Sequence, residues 1–169
     1  MLKEKTGKFY PVVNFFGIHL VPTLIVYGCL LPALYVCVNN SIVLNIWSII
    51  FGCISIFAVI LQGTADYQMH KYRKNKAFNP DVTQNQFIRT GLWKYSRHPN
   101  YLGEILMWWG IALAVVFAFP RCWFLVAGAF VNNCLFLFIS IPMADKRQSK
   151  KIGFDEYKKQ TRMLLPIKK

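Results

Sequence analysis

Apolar residues along this chain are gathered into long runs instead of alternating with polar ones. Four runs are long enough to cross a bilayer, which takes about 20 mostly apolar residues in one helix. They extend roughly over residues 12–38, 42–61, 101–119 and 122–143. This pattern predicts an all-α fold, a polytopic membrane helix bundle with about four transmembrane helices.

Proline and capping residues predict where these helices bend or begin. The first run contains Pro22 and Pro32, so we expect a helix that is kinked, tilted or broken into two pieces. Ser41 is a suitable N-cap for the second helix. That helix is expected to continue beyond its apolar run to Lys76, before Asn79-Pro80-Asp81 ends it.

The connecting segments predict one polar loop and one short terminal helix. Residues 77–96 form the only sizeable loop, expected to be polar and to face the cytoplasm. Pro142 is expected where the fourth helix leaves the bilayer, and Gly153 separates it from the tail. Residues 154–165 carry apolar side chains at helical spacing, which predicts a C-terminal amphipathic helix on the membrane surface.

The net charge of +13 follows the membrane pattern. Lysine and arginine cluster before the first run, between the second and third, and after the fourth. An even number of crossings places all three clusters on one side, as the positive-inside rule requires. We therefore predict a multi-pass protein with both termini in the cytoplasm, in the endoplasmic reticulum or a bacterial inner membrane. Anionic membrane lipids and a polyanionic ligand are the expected partners, and nucleic acid is not.

The five cysteines predict neither a metal site nor a disulfide. All of them lie within apolar runs, without CxxC spacing or a nearby histidine. Buried free thiols are the expected state.

The segment Gly91-Leu-Trp-Lys-Tyr-Ser-Arg-His-Pro-Asn-Tyr-Leu-Gly-Glu104 places charge at the start of the third apolar run. Charge beside hydrocarbon is costly, so such a cluster is a functional-site hypothesis. Pro99 fits the first turn of a helix, and Arg97 and His98 would lie beside its anion-attracting N-terminus. Phosphate or carboxylate suits this arrangement, while Asn100 and Glu104 would share one helix face and hydrogen-bond amide or ribose groups. The alternatives are an interfacial anchor, or a Glu104 paired with Arg97 or Arg73.

Two further polar groups are expected on the same face of the bundle. The first lies on the extension of helix two and consists of Gln62, Asp66, His70 and Arg73. The second follows helix four and consists of Asp145, Lys146, Arg147, Lys150 and Lys151, with Tyr157 beyond. A solvated helix end and a basic stop-transfer cluster are the alternative interpretations. If the helices form a bundle, the three groups converge.

These motifs together resemble those of the steroid 5-alpha-reductase-like membrane proteins, especially the branch grouped as DUF1295. The resemblance rests on the segment 91–104, on Asp66-Tyr67 with Arg73, and on Phe154-Asp-Glu-Tyr157 followed by Leu164-Leu-Pro166. It covers about residues 58–167. It implies shortened N-terminal membrane helices over 1–57 and a cofactor-binding C-terminal domain over 58–169.

The resemblance implies an oxidoreductase that uses NADPH to reduce a carbon–carbon double bond of a lipid or steroid-like enone. The residues it assigns to the cofactor, taken with the basic and aromatic neighbours above, are Gln62, Asp66, Arg73, Arg97, His98, Asn100, Tyr101, Glu104, Lys146, Arg147 and Tyr157. It assigns no proton donor, because the family's substrate-polarising Tyr and Glu come from N-terminal helices that are shortened here.

Two alternatives remain open at this point. The isoprenylcysteine carboxyl methyltransferases share Arg-His-Pro-x-Tyr, here residues 97–101, and bind S-adenosylmethionine. They carry a Glu pair where this chain has Asp145-Lys146-Arg147, and Asn100 with Gly103-Glu104 favours the reductase branch. A non-catalytic truncated relative is the other alternative, and the oligomeric state is not predicted.

Overall fold

The computed structural model describes residues 7–39, 44–78 and 87–167, and these residues are overwhelmingly helical. The helices are α1 (Gly7–Asn39), α2 (Ile46–Phe78), α3 (Pro99–Ala118), α4 (Pro120–Gln148) and α5 (Phe154–Gln160). A short 3-10 turn, Gly91–Lys94, precedes α3. Within the described residues, α1 to α4 are long and apolar enough to cross a membrane. The prediction of an all-α membrane helix bundle is confirmed.

Helix α2 begins later than its apolar run and extends well beyond it. The Asn45 side chain caps it, since its Oδ1 accepts from the Ser48 N–H at 2.8 Å. Ser41, the predicted cap, lies outside the described residues, and so does Asn79-Pro80-Asp81. At 33 residues α2 is about 50 Å long, so its last turns extend past a hydrocarbon core of about 30 Å.

The prolines do not break their helices. Helix α1 is continuous through Pro22 and Pro32, so of the three predicted forms, kinked, tilted or broken into two pieces, the break is excluded. A π-helical stretch, Phe15–Leu20, ends two residues before Pro22, and another, Phe136–Ser140, ends two residues before Pro142. The wider turn relieves the clash between a proline ring and the preceding carbonyls. Pro142 thus lies inside α4, which continues to Gln148.

Small residues allow the helices to approach closely, as is common in membranes. On α3, a Cβ at Gly103 would lie 2.8 Å from the Ala58 carbonyl oxygen of α2. One at Gly110 would meet the Phe51 carbonyl oxygen at the same distance. On α1, a Cβ at Gly28 would lie 3.5 Å from the Gly128 Cα of α4. The antiparallel pair α2–α3 and the α1–α4 crossing therefore depend on glycine.

The C-terminal segment packs on the protein itself. Helix α5 ends at Gln160, earlier than predicted, because residues after it run alongside the segment before α3. The Arg97 N–H donates to the Arg162 carbonyl at 3.0 Å, and the Arg162 N–H to the Tyr95 carbonyl at 3.2 Å.

The loop before α3 is less polar than predicted in its described part. Phe87, Ile88 and Trp93 are buried, and Phe87 clusters with Phe154 and Tyr157 of α5. The loop and the tail therefore cover one end of the bundle, and the apolar face of α5 meets protein there.

Candidate ligand-binding site

A cavity of about 460 Å³ lies at the end of the bundle where the extension of α2, the start of α3, the end of α4 and α5 meet. The polar and charged side chains that line it come from all three groups predicted to converge. They are Asp66, His70, Tyr72, Arg73, Lys76, Arg97, His98, Asn100, Tyr101, Asp145, Arg147, Gln148, Lys151 and Tyr157. Its volume falls within the range typical of small-molecule sites.

One wall of the cavity is an ionic cluster around Asp145, here called the Asp145 clamp and consisting of Asp145, Arg97 and His98. Arg97 Nη2 donates to Asp145 Oδ2 at 3.2 Å, and His98 Nε2 lies 2.9 Å from Asp145 Oδ1. Arg97 Nη1 also donates to the Thr161 carbonyl at 2.9 Å. The basic pair expected beside the helix N-terminus therefore already has a carboxylate partner from α4.

An aromatic stack continues this wall toward the membrane. The His98 and Tyr101 rings are parallel, 5.2 Å apart with an interplanar angle of 5°. Tyr101 in turn packs on Phe136 of α4 at 4.7 Å. Because Asp145 holds one edge of the imidazole and Tyr101 covers its face, His98 has a single well-defined orientation.

The cavity also has a basic wall, consisting of Arg73, Lys76, Arg147 and Lys151. Partial burial lowers the pKa of Lys151, and the charges of Lys76, Arg147 and Arg73 lower it further. Cations held this close together repel one another, so a bound anion would relieve the repulsion. The wall is suited to phosphate.

Asn100 provides a hydrogen-bond acceptor in the same cavity. Its Oδ1 atom is buried and has no hydrogen-bond partner among the described residues. Asp66 lies on the same cavity from α2 and is exposed toward it. The cavity thus joins a basic side with side-chain oxygens that accept hydrogen bonds.

Tyr157 contributes its ring to the cavity but not its hydroxyl. The hydroxyl donates to the Trp93 carbonyl, and burial raises the pKa of Tyr157 to about 12. Trp93 Nε1 donates to the Ala65 carbonyl of α2 at 3.1 Å. Trp93 was part of the motif quoted above, but only the structure shows that it links the tail to α2 and forms part of the lining.

Three of the predicted cofactor residues lie away from the cavity. Gln62 packs at the α2–α3 contact, where its Cβ would be 2.7 Å from a Cβ at Gly103. Glu104 lies half-buried inside the bundle with no ion pair among the described residues, and Arg97 pairs with Asp145 instead. Lys146 is exposed on α4 and is not in the lining. The remaining eight line the cavity.

Comparison with known proteins shows the family to which this chain belongs. A profile of the family described as "Protein of unknown function (DUF1295)" matches residues 1–161. The uncharacterized protein C594.04c of Schizosaccharomyces pombe is 29% identical over 113 residues, which cover 59% of this chain and 33% of that protein. The match therefore spans about a third of the yeast relative. No solved structure matches. With nearly its whole length matched, the chain belongs to the DUF1295 family.

Proposed function

We propose that this protein is an integral membrane oxidoreductase that binds NADPH in the cavity and reduces a carbon–carbon double bond of a lipid or steroid-like enone. The observation that supports this most directly is the composition of the cavity, which combines a basic wall with the unpartnered Asn100 Oδ1. NADPH would supply the hydride, and the protein would bind and orient both partners.

The basic wall fits the phosphates of a dinucleotide. Arg73 and Arg147 offer guanidinium groups, and Lys151 adds a compact charge beside them. Guanidinium groups bind phosphate oxygens in pairs, and a lysine ammonium acts as a point charge. NADPH carries a third phosphate, which adds to the attraction by these cations, so NADPH should bind more tightly than NADH with its two phosphates.

Asn100 and Asp66 fit the uncharged parts of the same ligand. The buried Asn100 Oδ1 can accept a hydrogen bond from the nicotinamide carboxamide, and the Asp66 carboxylate from ribose hydroxyls. Asn100 lies on the first turn of α3, next to the membrane-spanning part of the bundle. The reactive ring would thus face the hydrocarbon, from which a lipid-like substrate arrives.

Charge favours NADPH over S-adenosylmethionine. The lining contains Arg73, Lys76, Arg97, Arg147 and Lys151 against the two carboxylates of Asp66 and Asp145. S-adenosylmethionine carries a positive sulfonium and a positive ammonium group, which this positively charged site would repel. The proposed topology, with both termini and the cavity facing the cytoplasm, gives the site access to soluble dinucleotide.

Thermal unfolding of the detergent-purified protein with NADPH, NADH and S-adenosylmethionine tests the proposal. Ligand at a hundred times its dissociation constant adds about 2.7 kcal/mol of stability, so NADPH should shift the midpoint clearly and NADH less. Asn100→Ala should lose most of the NADPH shift, whereas Asn133→Ala on α4, away from the cavity, should keep it. A response to S-adenosylmethionine alone would indicate methyl transfer, and no response at all a non-catalytic relative.

A further inference from the structure

Two polar side chains lie inside the bundle, deeper than the cavity. Asn132 of α4 is 3% exposed and Trp108 of α3 is 9% exposed. Asn132 Nδ2 has no hydrogen-bond partner among the described residues, whereas Trp108 Nε1 has the Glu104 carboxylate beside it. Both lie in membrane-crossing segments, where water does not satisfy buried donors.

The packing of α3 against α4 brings these two donors to nearly the same depth. Trp108 shares a buried cluster with Ala129, while Tyr101 stacks on Phe136. Asn132 lies between Ala129 and Phe136 on α4, so it faces the part of α3 between Tyr101 and Trp108. Long side chains on a helix lean toward its N-terminus, which brings the Trp108 indole toward the same level.

Glu104 of α3 lies at the same depth as Asn132 and Trp108, next to the proposed cofactor cavity. Asn100, Glu104 and Trp108 are four residues apart along α3, so they share one face. Asn100 and Tyr101 line the cavity. A molecule bound at Asn132 would therefore lie about one to two helical turns from the Asn100 acceptor.

Apolar side chains line the outer flank of the bundle beside this level. Helix α1 packs on α4 mainly through Pro120–Leu135, and among its described side chains only Cys29 and Pro32 are buried. Its first half presents large apolar side chains outward, and so does the second half of α4 at Phe138 and Ile139. We take the apolar flank between these two surfaces as the route by which a lipid-like molecule approaches Asn132.

We propose that Asn132 Nδ2 donates a hydrogen bond to the oxygen of a lipid-like substrate that enters from the bilayer. The amide N–H is a donor, so it selects a carbonyl or hydroxyl oxygen on an otherwise apolar molecule. This inference rests on the proposed function and identifies a specificity-determining residue for its substrate, which the family resemblance leaves unassigned.

Asn132→Leu removes the donor and keeps the branched shape of the side chain, and Asn133→Leu, its matched control, makes the same change in size at the next position. Asn133 is the next residue on α4 and half-buried, about 100° further around the helix. The probes are cholest-4-en-3-one and cholest-4-ene, which share one carbon skeleton but differ in the oxygen. Binding is measured in lipid nanodiscs from the shift in thermal unfolding, with and without NADPH.

The wild type and Asn133→Leu should prefer the enone, and Asn132→Leu should bind it about tenfold more weakly, as expected for one lost hydrogen bond. Without ligand, Asn132→Leu should unfold at the same temperature as the wild type or higher, since it removes an unpartnered buried amide.

Three results would overturn the inference: no enone preference in the wild type, a full preference in Asn132→Leu, or a marked loss of its ligand-free stability. The last would show that the amide already has a protein partner. The NADPH shift in the same samples tests the proposed function separately. Its absence beside an Asn132-dependent enone preference would overturn the reductase and retain the oxygen site.

Discussion

Asp145 has more influence on the cavity than any other single side chain. It holds Arg97 and His98 together, and all three side chains are largely buried. Through His98 it also fixes the ring on which Tyr101 stacks. Removing one partner of a buried ion pair leaves the other charge without compensation.

Asp145→Asn should therefore lower the free energy of unfolding by about 3–5 kcal/mol, because the Arg97 guanidinium stays buried. Thermal or denaturant unfolding in detergent measures the change. Asp155→Asn, at an exposed position on α5, should be nearly neutral. An Asp145→Asn protein as stable as the wild type would show that the clamp is not formed in solution.

The raised pKa of Tyr157 predicts that the free energy of unfolding falls at alkaline pH. Its pKa is raised from 10.0 to about 12, mainly by burial. The folded state therefore keeps a proton that the unfolded state releases, and the stabilisation is complete below pH 10 and lost as the pH rises to 12. A rise of this size corresponds to roughly 3 kcal/mol.

Tyr157→Phe should remove this alkaline loss of stability. It should also cost about 1–3 kcal/mol at neutral pH, because the buried Trp93 carbonyl loses its donor. Unfolding curves of both proteins between pH 8 and 12 give the comparison. Tyr67→Phe, at an exposed tyrosine of α2, should keep the wild-type profile. Parallel pH profiles for Tyr157→Phe and the wild type would contradict the assignment.

Among the helix contacts, the one between α2 and α3 positions two cavity residues, Asp66 and Asn100, relative to each other. Ser55 Oγ donates to the Met107 carbonyl at 3.2 Å, and Ser48 Oγ to the Ala114 carbonyl at 2.9 Å. Gly103 lies in the same interface, where a Cβ would press on the α2 backbone. The backbone contact leaves little room for adjustment.

Gly103→Ala should destabilise the protein by about 1–3 kcal/mol, the usual cost of overpacking. It should also weaken NADPH binding, because Asn100 and Asp66 lie on the two helices that are pushed apart. Gly63→Ala is the control, since nothing lies within 4 Å of a Cβ at that position on α2. Equal thermal midpoints for the two variants would argue against the close contact.

For the molecule as a whole, the charges of the basic wall favour ligand binding but lower the stability of the ligand-free protein. The pKa of Lys151 is lowered by partial burial and by neighbouring cations, so its charge costs stability in the folded protein. The unfolded state holds this proton more tightly, and stability therefore rises with pH between the folded pKa and 10.5.

Lys151→Gln should raise the ligand-free unfolding temperature at neutral pH, and the difference should disappear above about pH 10.5. It should weaken NADPH more than NADH, and added salt should reduce this discrimination. Exposed Lys159→Gln is the control. A Lys151→Gln protein with unchanged NADPH affinity would place the phosphates elsewhere.

The sequence predicts the spans and the convergence of polar groups, but not the contacts that complete the site. Apolar runs near 20 residues are a strong signal, and one bundle end must collect the charges that flank them. The partner of Arg97 is 48 residues away, at Asp145, and no spacing rule indicates it. The tail likewise meets Tyr95 and Arg97 through backbone groups, which any residue provides.

The glycine contacts and the π-helical turns show the same limit. Gly28 and Gly128 are single glycines on separate helices, without a local motif that would pair them. Pro22 and Pro142 predict a disturbance, but the sequence alone does not distinguish a break from a wider turn that keeps the helix continuous.

The pairing of the tail with the segment before α3 also has a consequence for biosynthesis. Residues 154–162 leave the ribosome after all four spanning helices, yet they supply the Thr161 carbonyl that Arg97 requires and the hydroxyl that covers Trp93. During translation the membrane portion can be inserted while the cavity still lacks one side. The nascent chain would therefore acquire its binding competence in a single late step, as the tail docks on the exposed end of the bundle.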